Sequence, residues 1–167
     1  MLHDDDCPSV ADGTPFTARL TSTPRPERHP AVITPARYSL DVALAAVTSA
    51  GPSEGDVLRA ALTACAIPSY KANDGGTSCV LVPINRTANE GDAHTGVKLL
   101  ISSGEDAERP AEAHDEPWSA HLYGPENDFI DSVFTAPDFL SLDEESALTA
   151  WAVLRWLEAN AESYTHP

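Results

Sequence analysis

Apolar residues return along the chain with two spacings, and the switch between them marks out its elements. Leu40, Ala43, Leu44 and Val47 recur at i, i+3, i+4 and i+7, one face of a helix that stops at Gly51-Pro52. Val57, Leu58, Ala61, Leu62 and Cys65 form a second stripe, with Ser53 and Asp56 as a capping pair before it and Pro68 behind it. The spacing predicts helices over 39–50 and 53–66. Beyond Ser69 the period falls to two. "SYKA", "TSCVLVPI" (77–84), "GVKLLIS" (96–102), "WSAHLY" (118–123) and "DFIDSVFTA" (128–136) read as successive strands. The second is apolar nearly throughout, as a strand covered on both faces would be. "NDGG" and "GPEN" carry turn chemistry, residues tolerant of positive φ in one and a proline at the second turn position in the other. Adjacent Phe129 and Ile130 break the alternation and predict a bulge.

Helical spacing resumes at the end of the chain. Ser141 and Glu144 form a capping box, and Asp143, Glu144 and Glu145 place negative charge at the positive end of a helix dipole. Ala147, Ala150, Trp151, Leu154, Leu157 and Ala161 continue the stripe over 141–162, widened by Val153 and Trp156. Helices, then strands, then a long helix predict an α+β two-layer sandwich, in which helices pack on one face of a four- or five-stranded antiparallel meander. This domain spans 37–167. Ahead of it, residues 1–36 hold six of the fourteen prolines and read as an extended arm. The element order resembles that of double-stranded-RNA-binding domains, but their basic contact residues are missing, so the resemblance carries no function across.

Charge narrows the partners. Twenty-six acidic residues against ten basic ones give a net charge of −16, which repels nucleic acid and anionic membranes. The first ten residues lack the basic and apolar regions of a secretory signal, and no run approaches the ~18 apolar residues of a membrane span, so the expected location is cytoplasmic. Cys7, Cys65 and Cys79 are odd in number and without CxxC spacing, against both a zinc ribbon and a disulfide framework. Phosphate-cradling glycine motifs, a nucleophile elbow and HExxH are absent, and no cofactor or metal is expected.

Two regions hold candidate chemistry. Between Ser103 and Pro117, Glu105, Asp106, Glu108, Glu112, Asp115 and Glu116 face a single arginine, Arg109. They lack the DxDxDG register of a calcium loop, and only alanines lie among them to desolvate a general acid, so the segment reads as a solvated bend between strands. In a meander His94 and His114 fall on opposite rims, too far apart to share a zinc ion, and Cys79 lies away from His94 and His121. The second region is the sheet face turned away from the helices. If Val97, Leu99, Ile101, Trp118, Ala120 and Leu122 point inward, then Lys98, Leu100, His121 and Tyr123 point outward, a face suited to a protein partner or a small ligand unless Phe16, Val32 or Ile33 of the arm covers it. The expected function is a non-enzymatic protein-binding or regulatory role. The alternatives are an acidic inhibitor that imitates DNA, of the kind phages encode, and a small hydrolase or transferase using His121 and Tyr123, with His94 nearby.

Overall fold

The computed structural model describes residues 40–74, 76–104 and 106–165. The Pro-rich segment 1–36, Cys7 and the arm residues expected over the outer sheet face lie outside the described residues, as does Glu105. Two helices, α1 (Leu40–Val47) and α2 (Glu54–Ala64), lead into strands β1 (Tyr70–Asp74) and β2 (Thr77–Pro83). A short helix α3 (Glu90–Thr95) precedes β3 (Lys98–Ser102), and β4 (Ser119–Tyr123), β5 (Phe129–Thr135) and the long helix α4 (Leu142–Thr165) complete the chain. The strands form a five-stranded antiparallel sheet in the order β1-β2-β3-β4-β5, the meander that the two-residue periodicity predicts. It is not closed into a barrel.

Local chemistry explains the boundaries. The Ser53 side chain accepts from the Asp56 N–H, and the Asp56 carboxylate accepts from the Ser53 N–H, a full capping box at the start of α2. Ser141 and Glu144 repeat the arrangement ahead of α4. The β1–β2 turn is held by Asn73, whose side-chain oxygen accepts from Gly76 N–H at 3.0 Å, with Gly76 at φ 99° where a side chain would be strained. Register shifts on the β4–β5 pair confirm the irregularity expected from Phe129-Ile130.

The inward rows of the sheet (Val80 and Val82, Leu99 and Ile101, Ala120 and Leu122) pack with α1, α2 and α4 into one core that includes Trp118. Three expectations from helical spacing fail in detail. Leu40 and Leu44 are 43% and 38% exposed, and Trp151, placed in the stripe of α4, is 40% exposed while Val153 is fully buried in its stead. The loop 85–95 contains α3, which the sequence pattern did not announce because its six residues offer one buried apolar side chain, Ala93. That helix packs on the outer face, where Ala93 joins Cys79, Leu81 and Leu100 in a second, smaller cluster. Not every helix therefore lies on one side of the sheet. No helix among the described residues is long and apolar enough to cross a membrane.

Candidate functional site

The acidic segment after β3 is built structure. Its backbone satisfies the orphan N–H groups at the start of α2: Arg109 O accepts from Glu54 N–H at 3.0 Å and Ala107 O accepts from Gly55 N–H at 2.7 Å. Gly55 permits this approach, since a Cβ there would lie 2.8 Å from Ala107 O. Ala111 N–H donates to Pro52 O at 2.9 Å, Ala107 N–H donates to Ser78 O at 3.2 Å, and a 3₁₀ turn at Ala111–Ala113 follows. Ser78 Oγ donates to Asp106, whose carboxyl this hydrogen bond holds below its ordinary range. Gly104 turns the chain at φ 62° against the Glu116 carboxylate. Asp106, Glu108, Glu112, Asp115 and Glu116 are exposed, as expected of a solvated bend, but the backbone that carries them clamps the start of β2 to the start of α2.

Beneath it lies a charged cluster that the sequence did not reveal. Glu54, in the first turn of α2, is fully buried, and Glu145, in the first turn of α4, is 2% exposed. His114 bridges them, its Nδ1 3.2 Å from Glu54 Oε2 and its Nε2 3.0 Å from Glu145 Oε2. Ser103 Oγ donates to Glu54, the Arg109 guanidinium lies 3.1 Å from Glu54 Oε1, and Trp118 N–H donates to Glu145. Arg109 also reaches Asp115 at 2.8 Å, and the Trp118 indole N–H donates to Ser146 Oγ at 3.1 Å. Burial opposes a charge on His114, but its hydrogen bonds and Coulomb attraction to Glu145 and Glu54 prevail and raise its pKa above the ordinary imidazole value. Two buried carboxylates thus face Arg109 and His114, whose raised pKa favours its charged form, and both sit where a helix dipole favours negative charge. Glu54 Oε2, Glu145 and both ring nitrogens of His114 are engaged within the cluster, while Glu54 Oε1 and Arg109 Nη2 face each other as an ion pair without a hydrogen bond, so the arrangement ties the acidic segment to α2 and α4.

The outer face divides the residues that the alternation placed there. Lys98 and Leu100 are 2% and 8% exposed, so neither offers the open surface expected of it. The Lys98 ammonium donates to His94 O at 2.8 Å, near the end of α3. Both residues line a cavity of about 200 Å³ with Leu81, His94 and Asn127. His121 and Tyr123 lie farther along the face, half-buried, each 5.9 Å from the Phe129 ring. His121 Nδ1 is buried without a hydrogen-bond partner. His94 lies on α3 beside Lys98 while His114 is held between Glu54 and Glu145, and no group of His, Cys, Asp or Glu among the described residues is placed to hold a metal. Cys65 and Cys79 are both buried. No family model, curated protein or solved structure matches this chain.

Proposed function

We propose that the protein is a non-enzymatic binding protein that engages another protein along the β5 side of its sheet. One observation carries this reading: Phe129 and Ile130, on the edge strand, are 60% and 42% exposed, with His121 and Tyr123 beside the Phe129 ring. Large apolar side chains gathered at a sheet edge are what a partner covers. Among the described residues neither His121 nor Tyr123 makes a side-chain hydrogen bond to a nucleophile or a carboxylate, which favours recognition over the hydrolase or transferase alternative.

The expected result is that a photo-crosslinking residue at Ser132 forms a protein adduct that the same residue at Glu158, on the exposed side of α4, does not. Phe129→Ser should abolish that adduct while leaving the fold intact, because the side chain is mostly exposed. An adduct insensitive to Phe129→Ser contradicts the reading. A second reading, an acidic imitator of DNA, draws on the absence of any lysine or arginine between Arg109 and Arg155. It predicts that duplex DNA competes the adduct away, which the first reading does not.

A further inference from the structure

Resting on that reading, we infer that the occupant of β5 is a positively charged extended segment of a partner protein, added as a sixth strand on the free edge. β5 closes the sheet order, and among the described residues no strand pairs with its outer side. Its seven residues span about 23 Å, enough for a strand of ordinary length. Main-chain groups along an open edge give affinity to any strand, and the side chains around them choose which one.

Those side chains are of one sign. Glu126, Asp128 and Asp131 are exposed beside Phe129 and Ile130, and none of the three is paired with a cation among the described residues. Asp131 Oδ1 accepts only the neighbouring Ser132 N–H, at 2.8 Å. The nearest lysines or arginines in sequence are Arg109 and Arg155, and Lys98, which lines a cavity with Asn127, is buried with its ammonium donating to His94 O. A second copy of the chain would set Asp128 and Asp131 against like charges, on molecules that each carry −16, and like charges directly opposite across a pair of strands are destabilising. A segment that alternates Lys or Arg with Val or Ile meets each feature: its cations answer the three carboxylates, and its apolar side chains cover Phe129 and Ile130.

The test uses the full-length protein and a fluorescent seven-residue peptide alternating Arg or Lys with Val, read by anisotropy. Three comparisons accompany it: the peptide with Glu in place of its basic residues, the basic peptide N-methylated on alternate amides, and the protein with Asp128→Lys and Asp131→Lys. The basic peptide is expected to bind at least about ten-fold more tightly than the acidic one, with N-methylation weakening it about ten-fold or more, since strand pairing needs the amides. The paired lysine substitutions should reverse the preference between basic and acidic peptides. No binding of the basic peptide, or binding indifferent to N-methylation, overturns the inference, and so does a dimer of the protein alone that shields β5. A Ser132 adduct whose partner contributes a neutral or acidic segment also overturns it while leaving the binding reading in place. Loss of the adduct itself removes that reading separately.

Discussion

Replacing Glu54 by alanine is expected to destabilise the fold by about 3–5 kcal/mol, as removal of one member of a buried ion pair does. Glu54 is fully buried and serves three groups from one segment: Ser103, Arg109 and His114. Without it, His114 keeps only Glu145, and Ser103, itself fully buried, loses its acceptor. For a domain of this size the midpoint of thermal unfolding should fall by about 10 °C, read by circular dichroism. The loss should also depend on pH. The pKa of His114 is raised in the folded state above its ordinary 6.5, so the stability drawn from its charge is complete below pH 6.5 and fades as pH climbs through the folded value. The difference between wild type and Glu54→Ala should accordingly shrink above that range, leaving the part owed to Ser103 and Arg109. A substitution that moves the midpoint by less than about 2 °C would mean that the cluster does not hold the acidic segment.

Trp118→Ala should cost about the same, about 3–5 kcal/mol, by a different route. The indole is fully buried between sheet and α4, and it marks the point where the acidic segment becomes β4. Truncation leaves a cavity beneath the segment and removes the donor to Ser146 Oγ. Trp118→Phe fills most of the space and loses mainly that hydrogen bond, so its cost should be nearer about 1–2 kcal/mol. Urea unfolding of the two variants separates these terms. Equal losses would show that the hydrogen bond, and not the volume, dominates at this position.

Much of the framework was legible because it rests on local rules. Ser53 with Asp56 and Ser141 with Glu144 announce helix starts within four residues, and the alternation through Leu99, Ile101, Ala120 and Leu122 assigns the inner face residue by residue. The charged cluster follows no local rule. Ser103, His114 and Glu145 meet Glu54 or each other across 49, 60 and 31 positions, and each alone resembles a surface residue. One signal was present: the only arginine and the only histidine of the acidic segment lie ahead of a tryptophan, and glutamates stand in the first turns of two predicted helices. Charge matching between them would have suggested burial. The outer face was half legible, since alternation gives direction but not cover. It set Lys98 and Leu100 outward correctly, but could not foresee that α3, carrying a single buried alanine, would lie against that side.

The account turns on His114 being a protonated bridge between Glu54 and Glu145, because that bridge makes the acidic segment structural and leaves recognition to β5. Nitrogen-15 spectra of the imidazole measure this directly. At pH 6.5, where a free imidazole is half protonated, His114 should be more than half protonated, with both ring nitrogens in the N–H form and slow to exchange with water. A ring that titrates at or below 6.5 as a single neutral tautomer in rapid exchange would contradict the bridge and reopen His114 as a reactive group.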